Sequence, residues 1–262
     1  DRTEPSARLV ATLPAGVAPR DPDRAVLSGV EVRAGQHKSV VFALGERVVD
    51  TAGWATRLAN LVAKGLTYGA IVALASVGLS LIFGVPGRVN FAHGAVVTFG
   101  AVVAWYFNAS GAGPGLHLLW AILPAVAISG LLGAGLERGL FRPLRRRRTG
   151  NVALIVVSIG LALLVRHSYL ILMGGAPRAY EQYAVQSQIS LGPVSLPPKD
   201  VIIIIASLAV LAAVGLMLTR TRLGAAMRAV ADNKDLAEAS GISVDRIILY
   251  TWALGAGLAG LG

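Results

Sequence analysis

The chain has 262 residues, of which 55% are hydrophobic and only 15% are charged. Soluble domains carry roughly a quarter charged residues, so this composition excludes an ordinary water-soluble protein and indicates a membrane protein. The absence of cysteine excludes disulfide bridges, a cysteine-ligated zinc site and a cysteine nucleophile.

The charges divide the chain into two parts. Residues 1–56 carry seven Lys/Arg and seven Asp/Glu, so the whole net charge of +10 belongs to the hydrophobic residues 57–262. We predict an extracytoplasmic N-terminal segment over 1–56 and a transmembrane domain over 57–262. The chain begins with neither an initiator Met nor a leader in which charged residues are followed by an apolar stretch, so we expect a processed product or a piece of a longer protein.

The N-terminal segment carries weak signals for β-strands. Residues 26–35 and 39–44 show partial alternation of apolar and polar residues, and a Gly-Gln-His-Lys connection joins them. This pattern predicts a short β-hairpin. The Pro- and Ala-rich residues 5–19 are predicted to be a linker.

The transmembrane domain is predicted to be all-α, with about six membrane-spanning helices. A helix needs about 20 apolar residues to cross the hydrocarbon core of a bilayer. The stretch 89–136 contains no Asp, Glu, Lys or Arg and is long enough for two such helices, with a Gly/Pro turn at 108–115 between them. The other predicted spans are 60–84, 151–174, 201–219 and a last one that begins near 247 and is incomplete at Gly262.

The loops between the spans differ in charge. Loops 137–150 and 220–246 together hold eleven Lys/Arg, whereas loops 107–116 and 175–200 hold two. Because cytoplasmic loops carry the excess of Lys and Arg, this difference places the first pair in the cytoplasm and the N-terminal segment outside it. The same rule explains the run Arg145–Arg148, so we expect no nucleic-acid partner.

Small residues recur at four-residue spacing in the spans, which lets helices approach closely in lipid. The pairs are Gly65/Gly69, Gly135/Gly139 and Gly255/Ala259. They predict a tightly packed bundle.

Motifs for chemistry are almost absent. The sequence has no Gly-x-x-x-x-Gly-Lys-Ser/Thr phosphate loop and no metal-ligand spacing among its four His. No Asp or Glu lies in the middle of a span, which argues against a proton-coupled carrier. We therefore predict a chain that is not an enzyme and binds no metal or cofactor. Arg166, within the fourth span, is expected either to extend toward the outer surface, the preferred interpretation, or to line a pathway.

Two cytoplasmic segments are unusual. In the first, residues 84–94, Pro86-Gly87 ends a helix, Asn90 is predicted to cap the next one, and His93 lies in its first turn. The second, residues 220–246, predicts a helix over 225–239 that stops at Gly241. This helix would lie on the membrane or dock a partner, through a modest apolar face formed by Ala225, Met227, Val230, Leu236 and Ala239.

Three motifs in these regions carry a family resemblance. They are Val89-Asn-Phe-Ala-His-Gly94, Glu137-Arg138…Phe141-Arg142-Pro143-Leu144, and Gly224-x-x-x-Arg228-Ala-x-x-Asp232…Ala239-Ser-Gly-Ile242…Asp245-Arg246. In this order, over residues 57–262, they resemble the branched-chain amino acid ABC transporter permeases of the LivH type. Urea permeases share much of the pattern.

The resemblance implies a permease subunit of an ATP-driven importer for branched-chain amino acids or similar small polar solutes, in the bacterial plasma (inner) membrane. Its expected partners are a second permease subunit, cytoplasmic ATPase subunits that hydrolyse the ATP, and an extracytoplasmic solute-binding protein. The implied ATPase-coupling positions are Gly224, Arg228, Asp232 and Gly241. Asn90, Phe91, His93 and Gly94 form the family motif and border a possible pathway.

The sequence alone is also compatible with two other functions. One is an importer permease for urea or short amides, and the other is an ATP-independent channel or facilitator for a small neutral solute. The family continues with further spans beyond the sixth, and its core does not include a segment like 1–56.

Overall fold

The computed structural model describes residues 7–10, 26–30, 53–87, 90–111, 113–176, 180, 189–191 and 194–262. By residue contacts the chain separates into two compact units, residues 1–53 and residues 54–262.

The N-terminal unit contains two short antiparallel strands, β1 (Ala7–Val10) and β2 (Val26–Val30). Strand β2 lies within the predicted strand region 26–35. Its partner β1, however, lies in residues 5–19, so the prediction of a linker was wrong there: a four-residue run of mostly apolar residues pairs despite its Pro-rich surroundings. The predicted strand 39–44 falls outside the described residues.

The second unit is built mainly from α-helices. Between α3 and α4 the chain stays helical through a single π-helical turn, Glu137–Phe141. A short hairpin of β3 (Ile189–Leu191) and β4 (Val194–Leu196) precedes α6. The helices are α1 (Trp54–Gly84), α2 (His93–Asn108), α3 (Leu118–Leu136), α4 (Arg142–Arg146), α5 (Asn151–Met173), α6 (Pro198–Arg220), α7 (Arg222–Asp232), α8 (Lys234–Ala239) and α9 (Val244–Leu261).

Five helices of the described chain are long and apolar enough to cross a membrane, which confirms the prediction of an all-α polytopic membrane protein. They are α1, the continuous helix Leu118–Arg146, α5, α6 and α9. The remaining predicted span corresponds to α2, which has 16 residues. The third predicted span was expected to end before residue 137, but the helix runs on to Arg146 because the π-helical turn carries it into α4.

Helix α9 packs closely against α1, α2 and α3 through small residues. A Cβ atom added to Gly78 would lie 2.5 Å from the carbonyl oxygen of Gly255, and one added to Gly133 would lie 2.6 Å from that of Trp252. Of the predicted small-residue pairs, only Gly255/Ala259 belongs to this interface. An added Cβ at Gly65, Gly69, Gly135 or Gly139 meets no atom of the described chain within 4 Å.

Candidate functional site

The arginine-rich end of the bundle brings together the segments that carry the three motifs. A single buried apolar cluster joins them: Ile82, Val85, Phe141, Leu154, Met227, Val230, Ala237, Ile247, Ile248 and Trp252. The rings of Phe141 and Trp252 lie 4.7 Å apart between centroids. The α1–α2 turn, the π-helical turn and helices α7 and α8 therefore share one core, although they are far apart in the sequence.

Asn90 lies in the α1–α2 turn and is buried, with 4% of its surface exposed. Its Oδ1 atom accepts a hydrogen bond of 3.0 Å from the N–H of Ala92. The N-cap residue of α2 is Ala92, so the predicted role of Asn90 as N-cap was wrong. The side chain instead closes a turn by bonding the backbone two residues further on. Helix α2 begins directly after this turn.

His93 and Phe91, the next motif residues, point in different directions. His93 is buried, and its Nε2 atom donates a hydrogen bond of 2.9 Å to the carbonyl oxygen of Ala75 in α1. Phe91 exposes 54% of its surface, while its backbone N–H bonds Ser158 Oγ in α5 at 3.2 Å. The motif thus connects α2 to both α1 and α5.

Gly94, the last motif residue, borders a groove of about 550 Å³ between α2 and α5. The groove exists because small residues of α2 face α5. Tyr169 closes one side, and its hydroxyl donates to the carbonyl oxygen of Ala95 at 3.3 Å. Arg166, Leu170 and Met173 line the groove from α5. The guanidinium of Arg166 forms no ion pair with any of the residues that the structure describes.

A chain of ion pairs lies next to the α1–α2 turn. Glu137 is 1% exposed, and its Oε1 atom lies 2.7 Å from Nη1 of Arg145. Nη2 of the same arginine bonds Oδ1 of Asp245 at 3.0 Å. Arg142 and Arg146 also bond Asp245, from their Nε and Nη2 atoms at 2.9 and 3.1 Å. The sequence motifs contain Glu137, Arg142 and Asp245, whereas Arg145 and Arg146 lie just beyond the motif that ends at Leu144. The spacing of the motif residues did not reveal the network.

Helix α7 has one face buried in the core and the opposite face exposed. Thr221 caps it by accepting from the N–H of Gly224 at 3.1 Å. Met227 and Val230 are fully buried, whereas Arg228 and Asp232 are exposed, one turn apart on the outer side. Gly224 is buried against the end of α6, where an added Cβ would overlap the carbonyl oxygens of Met217 and Leu218.

The single helix predicted over 225–239 is in fact two helices. Asn233, with an extended φ of −155°, separates them, and its Oδ1 atom caps α8 by accepting from Leu236 N at 3.0 Å. The five residues predicted to form one apolar face for the membrane or a partner do not share a face. Met227 and Val230 are buried in the chain's own core, whereas Ala225, Leu236 and Ala239 are exposed, Leu236 to 65%. The break at Asn233 turns α8 so that Ala237 faces inward instead.

Helix α8 is tied to the α1–α2 turn. The Lys234 Nζ atom donates a hydrogen bond of 2.7 Å to the carbonyl oxygen of Pro86. Gly241, with φ at +84°, ends the helix in a left-handed turn in which the N–H of Ile242 bonds the carbonyl of Ala237 at 3.0 Å. Within the described part of the chain, no group of three or more His, Cys, Asp or Glu side chains could hold a metal ion.

Comparison with known proteins identifies relatives for most of the chain. BraD of Pseudomonas aeruginosa, a high-affinity branched-chain amino acid transport system permease protein, is 28% identical over 206 residues, which cover 75% of this chain and 66% of the relative. LivH of Escherichia coli, with the same description, is 26% identical over a similar region. A probable branched-chain amino acid transport permease of Methanocaldococcus jannaschii is 25% identical, and 62% of its length is covered. No solved structure matches the chain.

The family model described as branched-chain amino acid transport system / permease component matches residues 61–262. This region contains most of α1, all of α2 to α9, the Asn90 turn, the ion-pair chain and the exposed face of α7. The chain therefore belongs to the family of branched-chain amino acid transport system permease components.

Proposed function

We propose that this chain is a permease subunit of an ATP-driven importer that carries branched-chain amino acids across the bacterial inner membrane. Family membership and the names of the relatives support this proposal. The matched region spans about two thirds of the relatives' length, at 66% for the bacterial ones.

The observation that carries the proposal is the two-sided helix α7. Its inner face, Met227 and Val230, is fixed in the core, and its outer face presents Arg228 and Asp232. A helix held in this way is suited to docking a separate ATPase subunit, because a displacement of its exposed face would be transmitted to the core residues on its inner face. The sequence has no phosphate-binding loop of its own. ATP would therefore be hydrolysed by cytoplasmic ATPase subunits that dock here.

Gly224 and Gly241, two of the proposed coupling positions, have different places in the fold. Gly224 allows α7 to start against the end of α6, and Gly241 turns the chain from α8 into α9. Lys234 links α8 to Pro86, in the turn that follows α1. Movement of α7 and α8 would thus reach α6, α9 and α1 together.

For the substrate, the groove between α2 and α5 is the feature of this chain best suited to an amino acid. An arginine that lies within a span is costly unless it faces a polar cavity, and Arg166 lines this groove. Its guanidinium would bind the substrate carboxylate, and Leu170 and Met173 would contact the branched apolar side chain. Urea has no carboxylate for this arginine to bind.

The other partners follow from the same assignment. A second permease subunit would complete the pathway, and a solute-binding protein would deliver substrate on the side opposite the Arg-rich end. The distribution of Lys and Arg supports a cytoplasmic position for that end and an extracytoplasmic one for residues 1–56.

Uptake by the complete complex tests the proposal. The full-length protein, purified with its native partners and placed in proteoliposomes with the binding protein outside, is supplied with internal ATP and labelled leucine or urea. ATP-dependent uptake of leucine is the expected result. Uptake of urea alone would overturn the substrate, and uptake without ATP would overturn the importer in favour of a channel.

A pull-down tests the partners separately. The tagged protein is extracted from native membranes in mild detergent, and co-purifying chains are identified by mass spectrometry. Stoichiometric ATPase subunits are expected. A protein that emerges alone, under conditions that preserve a known ABC complex, would contradict the motor-driven mechanism.

A further inference from the structure

A small cavity lies between the α1–α2 turn, the π-helical turn and α9. Its volume is about 20 Å³, and it is lined by Pro86, Asn90, Glu137, Phe141, Arg145, Leu154 and Trp252. One water molecule requires about 10–15 Å³ by the same measure. The cavity therefore has room for one water and is far too small for an amino acid.

Three of the lining residues bring buried polar atoms that the fold leaves without a partner. They are Asn90 Nδ2, Trp252 Nε1 and the carboxylate oxygens of Glu137, none of which is hydrogen-bonded to any part of the chain that the structure describes. Oε1 of Glu137 is ion-paired with Arg145, so Oε2 is the oxygen left without a partner. Asn90 and Trp252 are 4% exposed and Glu137 is 1% exposed. Buried polar groups almost always find a partner in protein or in ordered water. Three such atoms around one cavity therefore point to a shared ligand.

The hydrogen-bonding capacity of the three atoms identifies that ligand. Asn90 and Trp252 each offer an N–H donor, and the second oxygen of Glu137 offers an acceptor. A water molecule accepts two hydrogen bonds and donates the third. A metal ion would face two N–H groups, which repel it, and Arg145 already neutralises the carboxylate from its other oxygen. Both facts disfavour a cation.

We propose that this cavity binds one ordered water molecule that accepts from Asn90 and Trp252 and donates to Glu137. The water joins the α1–α2 turn to the chain of ion pairs from Glu137 through Arg145 to Asp245. Both ends of the Asn90 side chain are then in use, since Oδ1 already accepts from Ala92. Asn90 is therefore a positioning residue rather than a substrate contact, whatever solute is carried.

An electron cryo-microscopy map of the complete complex, at a resolution where waters are visible, tests the site directly. We expect one peak at hydrogen-bond distance, about 2.7–3.2 Å, from all three atoms. A map with no peak would overturn the proposal. So would a direct bond between Glu137 and either donor, or a peak with the shorter distances of a metal ion.

A double-mutant cycle provides an independent test through thermal melting of the purified complex. Asn90→Ser keeps an oxygen to accept from Ala92, but its side chain is one bond shorter and no longer places a donor at the position of Nδ2. Trp252→Phe removes the indole N–H. If both bond the same water, the double variant melts higher than the sum of the two single losses predicts. The control pairs Trp252→Phe with Asn108→Ala, whose side chain bonds Leu116 at the far end of α2, and should be additive. Additive losses in the test pair would contradict a shared water.

Discussion

Arg145 forms an ion pair with Glu137 through one guanidinium nitrogen, at 2.7 Å, and donates a hydrogen bond to Asp245 through the other, at 3.0 Å. Glu137 begins the π-helical turn and Asp245 lies in the first turn of α9. One side chain therefore fastens the end of the third span to the start of the last one. Because Glu137 is almost fully buried, its carboxylate would be left as an uncompensated buried charge if Arg145 were removed. The main energetic effect of the contact is to avoid that cost.

Replacing Arg145 with Leu should destabilise the fold. Removing one partner of a buried ion pair costs about 3–5 kcal/mol, because the other charge is left uncompensated. Thermal melting of the purified protein measures the loss. The matched control is Arg147→Leu, an exposed arginine of the same run, which should change the melting temperature little. The double variant Arg145→Leu/Glu137→Leu should recover part of the loss, and its failure to do so would contradict this explanation.

Replacing Gly224 with Ala should separate α7 from the end of α6. The added Cβ would overlap two backbone carbonyl oxygens, which cannot move aside as a side chain could, so we expect lower stability and loss of ATP-driven uptake. Gly215→Ala is the control, since that glycine lies within α6 and an added Cβ meets no described atom within 4 Å. In a helix interior, Ala is about 0.5–1 kcal/mol more favourable than Gly. Equal effects at the two positions would rule out the close contact as the cause.

Reversing the charge of Arg228 should uncouple the protein from the proposed ATPase partner without unfolding it. The side chain is exposed on the outer face of α7, so Arg228→Glu removes no contact of the core. We expect the melting temperature of the isolated protein to stay within a few degrees, while co-purification of the ATPase and ATP-driven uptake are lost. Arg147→Glu makes the same change elsewhere at this end of the bundle. Normal coupling in Arg228→Glu would exclude α7 as the docking surface.

Removing the charge of Arg166 should weaken the transport of substrates that carry a carboxylate. A hydrogen bond to a charged group contributes about 1.5–3 kcal/mol, so Arg166→Gln should raise the KM for leucine about tenfold or more. Arg166→Lys should retain part of the affinity. His167→Ala, on the neighbouring position of α5, is the control. An unchanged KM in Arg166→Gln, with normal ATP-dependent uptake by the unmodified protein, would reject the groove as the carboxylate site and leave the importer intact.

The positions of the membrane spans could be predicted from the sequence because they depend on composition summed over many residues. The same is true of the predicted orientation. Runs without charge located the helices, and the excess of arginine singled out one end. Composition alone could not place Asn233, where one residue in an extended conformation divides the predicted helix 225–239 and turns Leu236 outward. A break of this kind depends on whether a local cap, here the bond to Leu236 N, is more favourable than another helical turn.

The contacts of the candidate site were harder to predict than its members. The motif residues Asn90, Glu137 and Asp245 were recognised together, but only the fold shows that Arg145 bridges the two carboxylates and that Asn90 faces the same cavity as Trp252. The close contacts between helices were likewise hard to predict from the spacing of small residues. Regular spacing marked Gly65/Gly69, whereas the close approach is made by Gly78 against Gly255, residues on different helices.

The π-helical turn at Glu137–Phe141 makes this region sensitive to length rather than to chemistry alone. An α-helix rotates by about 100° per residue, so deleting one residue here would restore regular winding and swing everything downstream around the axis. Arg142, Arg145 and Arg146 would then point away from Asp245 even though none of them had been changed. Insertions and deletions between 137 and 141 should therefore be more damaging than most substitutions there. The extra residue of the π-helical turn therefore fixes the direction in which the side chains of α4 point.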